Sequence, residues 1–205
     1  MKVILFDFDG VIADTFAFCH KIIHARDGVT EDEYRARFEG NINDALRKAT
    51  PNPSAKPFDF FSQYTPELLT CQPNKDVVEV VKELAHDHTL IIVSSTISSS
   101  IKEFLELQNL TTEFAEILGN DVEKSKVKKI NAVLQRYEVK PSETIFITDT
   151  LGDIKEARAC GVQSIAVTWG YHPEKTLLKG NPFKIIQHPN QIIKSIREME
   201  SESSS

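Results

Sequence analysis

The chain has 205 residues, of which 40% are hydrophobic and 26% charged, and a formal net charge of −6 at pH 7. Such values describe a soluble globular protein with one substantial core, and the acidic balance argues against a nucleic-acid backbone or an acidic membrane as partner. The three cysteines, Cys19, Cys71 and Cys160, are widely spaced and include no CxxC pair, which fits free thiols better than disulfides or a zinc site.

The chain begins "MKVILFDFDGVIADT". Lys2–Phe6 reads as a strand, and its apolar run does not alternate with polar residues, as expected of a strand buried on both faces in a parallel sheet. Asp7 and Asp9 stand where that strand emerges, beside the tight turn that Gly10 permits. In open parallel sheets the ligand crevice lies outside the carboxyl ends of the strands. The apolar run stops at Asp7, too short for a signal peptide or a membrane span, so a cytoplasmic protein is expected.

From Thr15 to Asn74 no strand is visible. Thr30 with Glu33 in "TEDEYRARF" makes a capping box, "PNPSAKP" (Pro51–Pro57) requires a loop, and "FDFFSQYTPELL" resumes a helical pattern. Residues 15–74 are therefore expected to form a small all-helical cap domain, with a long crossover within one domain as the alternative. His20 and His24, four apart, have a metal-binding spacing but no third ligand, and read as a solvated face. Arg35, Arg37, Arg47 and Lys48 read as exposed helix charges, with contact to an acidic leaving group of the substrate as the alternative.

Strand-like runs follow at Thr89–Ser94, Glu116–Leu118, Thr144–Thr148 and Ser164–Thr168, with a sixth, edge run at Phe183–Ile186. Helical patterns separate them: Ile101, Phe104 and Leu105; Val127, Ile130, Val133 and Leu134; and "LGDIKEARACG", which ends at Gly161 as a C-terminal glycine. A last helix spans Asn190–Met199, and residues 201–205 are expected to be a disordered tail. The alternation predicts an α/β fold, a Rossmann-like parallel sheet with helices on both faces, formed by residues 1–14 and 75–200.

The residues just after each strand form a pattern: Asp7 and Asp9; then Ser94, Ser95 and Thr96; then Lys124-Ser125-Lys126; then Asp149 and Asp153 in "TDTLGD". Carboxylates gathered at one sheet edge repel one another unless a cation is present. Mg²⁺ suits them, because it binds few carboxylates together with phosphate oxygens, while hydroxyls and a lysine would hold a dianion. This is the composition of a phosphoryl-transfer site.

"DFDGVIADT", the hydroxyl after "LIIV", the lysine turn and "DTLGD" resemble, in order, the four motifs of the haloacid dehalogenase superfamily, and "AVTWGYHP" resembles its phosphoglycolate-phosphatase-like members. The resemblance implies Asp7 as nucleophile, Asp9 as general acid and base with its backbone carbonyl facing the metal, and Ser94 as the hydroxyl on a phosphoryl oxygen. Ser95 and Thr96 are its substitutes, and Gly10 joins them in the substrate-binding set. Asp7, Asp9, Asp149 and Asp153 form the expected Mg²⁺ site. Lys124 and Lys126 compete for the lysine role: with Ser125 as N-cap, the two point to nearly opposite sides. "KSKVKKI" lacks the prolines that accompany a longer approach in the family, which favours Lys126.

The implied activity is a Mg²⁺-dependent phosphatase acting on a small phosphorylated metabolite, with no nucleic acid or membrane as partner. A phosphomutase would use the same residues. A receiver-type domain would instead need its aspartate after the third strand, and a dehalogenase would lack Asp9. A catalytically silent binding protein would have no reason to keep every one of these groups. Oligomeric state is not encoded in any pattern of the chain.

Overall fold

The computed structural model describes residues 1–44 and 58–203. Six strands, β1 (Val3–Phe6), β2 (Thr89–Val93), β3 (Glu116–Leu118), β4 (Thr144–Thr148), β5 (Gln163–Val167) and β6 (Lys184–Ile186), form one sheet in the order β3-β2-β1-β4-β5-β6. Every neighbouring pair is parallel. The helices are α1 (Phe16–Asp27), α2 (Glu31–Ala36), α3 (Phe60–Thr70), α4 (Lys75–Ala85), α5 (Ser98–Leu107), α6 (Lys126–Arg136), α7 (Leu151–Ala159), the short α8 (Glu174–Leu177) and α9 (Gln191–Ser203).

The pleat explains why the strand sequences do not alternate. Successive side chains leave a strand on opposite faces, and here both faces are covered. Ile4 and Phe6, Leu90 and Ile92, and Ile145 and Ile147 enter one core with α4, α5 and α9. Val3 and Leu5, Ile91 and Val93, and Phe146 enter a second core with α6 and α7. All four β1 side chains are buried, so β1 has no face on which a polar residue would be tolerated.

Helix starts follow local capping chemistry. Thr30 and Glu33 form the expected reciprocal box at α2. Ser125 Oγ accepts from Lys128 N at the start of α6, and Thr150 Oγ1 accepts from Asp153 N at the start of α7. Gly161, at φ 73°, closes α7 in the left-handed region that glycine enters freely.

At the start of α5, Ser98 N and Oγ both donate to Asp121 Oδ1, at 2.7 and 2.9 Å. One expectation is corrected: the tail expected from residue 201 instead continues α9 to Ser203. Ile192, Ile196 and Met199 anchor this helix in the first core, and the Met1 amino group pairs with Glu200 in its last turns.

The helices α1, α2 and α3 form an insert between β1 and α4. Its two ends lie side by side, with Ala13 bridged to Pro73 and Asn74 N donating to Ile12 O at 3.1 Å. The expected loop Pro51–Pro57 and residues Arg47 and Lys48 lie outside the described residues. Strand order reverses beside β1, and the carboxyl ends of β1, β2 and β4 open there, the position at which such sheets bind ligands.

Candidate active site

Asp7 extends the sheet by one residue, its N–H donating to Ile147 O at 2.9 Å. Its Oδ1 accepts from Phe8 N at 2.8 Å, and its Oδ2 faces Lys126 Nζ at 2.9 Å. The same ammonium lies 2.7 Å from Asp153 Oδ2, which also accepts from Thr148 Oγ1 at 2.8 Å. One buried lysine thus bridges an acid after β1 and an acid on α7. Lys126 occupies the first turn of α6, where Glu156 Oε1 accepts its N–H at 3.0 Å and so offsets a cation at a positive helix end.

Lys124 is exposed, and its carbonyl accepts from Asn41 Nδ2 and Asn43 Nδ2. Of the two candidate lysines, only Lys126 meets the acids.

Asp149 is fully buried at the end of β4. Its Oδ2 accepts from Tyr171 N at 2.6 Å, and its Oδ1 has no hydrogen-bond partner. Gly10 (φ 74°) and Gly170 both press against this carboxylate; a Cβ at either would overlap Asp149 Oδ2. Gly10 therefore makes room for Asp149, and it is not among the residues lining the cavity, contrary to the expectation that it binds substrate.

The electrostatics follow from burial. Burial pushes the Asp7 carboxyl well above the usual carboxylate range, against the pull of Lys126 and with a further push from Asp153 and Asp149. Burial likewise raises Asp149 to about 7, opposed by the Tyr171 N–H. Asp153 is also buried, yet Lys126 and the Asp7, Lys126 and Thr148 hydrogen bonds outweigh that cost and hold it below its ordinary value. Lys126 is raised, because Asp153 and Asp7 together overcome its desolvation.

Asp9 is turned elsewhere. Its Oδ1 accepts from Tyr64 Oη at 2.6 Å and its Oδ2 from Thr96 Oγ1 at 2.7 Å. Both carboxylate oxygens are thereby engaged by hydroxyl donors.

Among the described residues, no three His, Cys, Asp or Glu side chains gather into a cluster that holds a metal by themselves. The reason is local: the Lys126 ammonium stands between Asp7 and Asp153, and Asp9 faces Tyr64. What fits a cation is the pair Asp7 and Asp149, both disfavoured as bare anions, with the unpartnered Asp149 Oδ1 as the open valence. His20 and His24 do not join a site. Each ring nitrogen contacts Val29 O, at 3.0 and 2.9 Å.

After β2, Ser94 is fully buried and its Oγ accepts from Thr96 N at 3.0 Å. Lys129 Nζ donates to its carbonyl at 2.5 Å. Ser95 and Thr96, rather than Ser94, line the cavity. That cavity, about 190 Å³, has Asp7, Asp9, Lys126 and Asp153 at its floor and residues of α1, α2 and α3 as its walls.

Several of these residues carry no sequence signal. Tyr64 lies in an aromatic segment that reads as packing, and Glu156 and Lys129 read as helix surface. Tyr171 is reachable only through "WGYH", where the glycine and the turn after β5 hint at a backbone N–H aimed at the acids. The insert is seated on the core by backbone contacts: Gly152 N donates to Phe38 O at 2.9 Å, and a Cβ at Gly152 would overlap Gly40 O. His172 Nδ1 accepts from Leu151 N at 2.9 Å, and its Nε2 lies 2.9 Å from Arg35 O, which makes Nε2 the protonated nitrogen.

Comparison with known proteins agrees with this layout. The chain is similar to a phosphoglycolate phosphatase of Synechococcus elongatus, 23% identical over 97% of this chain and 99% of that protein. Its fold is similar to that of a haloacid dehalogenase-like family hydrolase from Streptococcus pneumoniae, with a TM-score of 0.78 and 21% identity over 96% of this chain and 98% of that one. It is also similar to a putative beta-phosphoglucomutase from Thermotoga maritima, with a TM-score of 0.68 and 20% identity over 97% and 99% of the two chains. The family model described as haloacid dehalogenase-like hydrolase matches residues 4–167. With the acids, the lysine and the parallel sheet arranged as described, the chain belongs to the haloacid dehalogenase-like hydrolase family.

Proposed function

We propose that the protein is a Mg²⁺-dependent phosphatase that hydrolyses a small phosphorylated metabolite through an aspartyl-phosphate on Asp7, with the helical insert acting as a cap over the site. The observation that carries this reading is Asp7 itself: a buried carboxylate at the cavity floor, 2.9 Å from the Lys126 ammonium and pushed up by burial and by the neighbouring Asp149 charge.

Asp7 Oδ2 attacks phosphorus, and the bond to the substrate's alcohol oxygen breaks. Asp9 delivers a proton to that oxygen, then takes one from the water that cleaves the acyl phosphate. Lys126 screens the equatorial oxygens and draws the Asp7 carboxyl toward its anion, against the cost of burial, and Ser95 and Thr96 supply hydroxyls and N–H groups at the rim. Asp7, Asp149 and the Asp9 carbonyl would hold Mg²⁺, with Asp153 supporting them, and the ion would neutralise charge on the transferring group. The relatives named phosphoglycolate phosphatase support a phosphate monoester as substrate.

The test is phosphate release from a panel of phosphomonoesters by purified protein with Mg²⁺ or with EDTA. Activity should require Mg²⁺ and vanish in Asp7→Asn, which stays folded. Acid quenching should trap a hydroxylamine-labile phosphoenzyme in the wild type alone. Hydrolysis that survives in Asp7→Asn, or phosphate transferred to a sugar instead of water, removes the phosphatase reading.

A further inference from the structure

The cavity above the acids has two aromatic walls. One is built by Tyr34, Phe38 and Tyr171, whose rings contact one another at 5.2 Å (Tyr34 with Phe38) and 4.9 Å (Phe38 with Tyr171). The other is built by Phe60, Phe61 and Tyr64 on α3, with Tyr64 at 5.4 and 5.9 Å from its two neighbours. All six line the same space, and no ring pair joins one wall to the other among the described residues. The cavity as a whole has room for a ring: at about 190 Å³ it exceeds the roughly 150 Å³ in which an apolar protein cavity takes up benzene.

Among the described residues, the cations that line it are already matched. Arg26 and Arg37 line the cavity, but both turn to Asp27. Arg26 holds it in two bonds of 2.5 Å, and Arg37 reaches Asp27 Oδ2 at 3.3 Å. Lys126 is held by Asp7 and Asp153. Among these groups, the carboxylate of a small acid such as glycolate would have to compete with Asp27 for Arg26 and Arg37, or displace Asp7 or Asp153 from the buried Lys126 and leave that charge unmatched.

We infer that the alcohol released by this enzyme carries a planar, apolar ring, seated between the two aromatic walls, rather than a small carboxylic acid. This rests on the phosphatase reading above. Hydrolysis would break the P–O bond of an arylalkyl phosphate. Phosphorus passes to Asp7 and then to water, and the alkoxide takes its proton from Asp9. Ring burial and aromatic offset contacts supply the selectivity.

The experiment compares kcat/KM of the Mg²⁺-loaded wild type for benzyl phosphate, glycerol phosphate and phosphoglycolate. Benzyl phosphate should exceed phosphoglycolate by at least about tenfold. Phe38→Ala and Phe60→Ala should each erode that preference, chiefly through KM. Calorimetric titration of the wild type should rank benzylphosphonate above phosphonoacetate, independently of whether either variant folds. Equal or better turnover of phosphoglycolate, tighter phosphonoacetate binding, or folded variants with unchanged preference each overturn the ring-bearing substrate while leaving the phosphatase reading intact. Failure to hydrolyse any of the esters, p-nitrophenyl phosphate included, overturns the phosphatase reading and this inference with it.

Discussion

The Tyr64 hydroxyl, carried on α3 of the insert, donates to Asp9 Oδ1 at 2.6 Å, while Thr96 Oγ1 from the loop after β2 holds Oδ2 at 2.7 Å. Burial, together with the neighbouring Asp9 charge, raises the Tyr64 phenol well above its ordinary range, so it remains a donor. Asp9 is therefore oriented from both sides of the cavity, and one of the two groups belongs to the insert.

Tyr64→Phe removes that donor and little else. As a positioning residue for the acid and base, its loss should lower kcat about tenfold for an alkyl phosphate, whose leaving oxygen needs a proton, and by less than about threefold for p-nitrophenyl phosphate. Steady-state kinetics on the two esters check this. Equal losses on both would assign Tyr64 to packing alone.

Lys126 and Lys124 separate cleanly. Lys126→Ala removes the cation shared by Asp7 and Asp153 and should reduce kcat by about a thousandfold or more. Lys124→Ala alters an exposed side chain and should change kcat less than about tenfold. The measurement is single-turnover kinetics on variants shown by circular dichroism to be folded, and the opposite ranking would move the role to Lys124.

Mg²⁺ should raise the melting temperature of the wild type by binding the folded state alone. Asp149→Asn removes one of the two carboxylates suited to the ion and should abolish that shift, since a neutral amide offers no charge to it. Differential scanning fluorimetry with and without Mg²⁺ decides it, and a full shift in the variant would place the ion elsewhere.

Lys129 provides a pH dependence. Burial, with Lys126 adding to it, lowers its ammonium from 10.5 to about 8, although Asp7, Asp153 and Glu156 pull the other way. Between those values the unfolded chain holds a proton that the folded chain lacks, so this group's penalty is complete below about pH 8 and fades as pH rises toward 10.5. Relative to Lys129→Met, the wild type should gain stability between about pH 7.5 and about pH 9.5 in urea unfolding. A pH-independent difference would contradict the shift.

Much of the sheet was readable because its strands are buried on both faces. A run such as "VILF" has only one stable use at that length, and each strand's polar successor marks where the cover ends. The helix caps at Thr30 and Ser125 were readable for the same local reason. Side-chain direction was not. Nothing in "DFDG" states that Asp9 turns to Tyr64, because Tyr64 is 55 residues away and reaches it only through the packing of the insert. Ser94 presented the same difficulty: a hydroxyl after a strand can face the cavity or its own loop, and here it caps Thr96 N. In the last turns of α9, Glu200 meets the Met1 amino group, a contact with the other end of the chain that no local pattern announces.

Gly152 lies between Asp149 and Asp153, donates its N–H to Phe38 O of the insert and lies against Gly40 O. The loop that presents the two acids is thus also the ledge on which the insert rests. The two parts share a lever arm: movement of the insert pulls directly on the first turn of α7, through main-chain atoms that no rotamer change can slacken. Gly152 in this motif is consequently a mechanical joint, and a methyl group there would hold the two parts of the molecule apart without touching a single reacting atom.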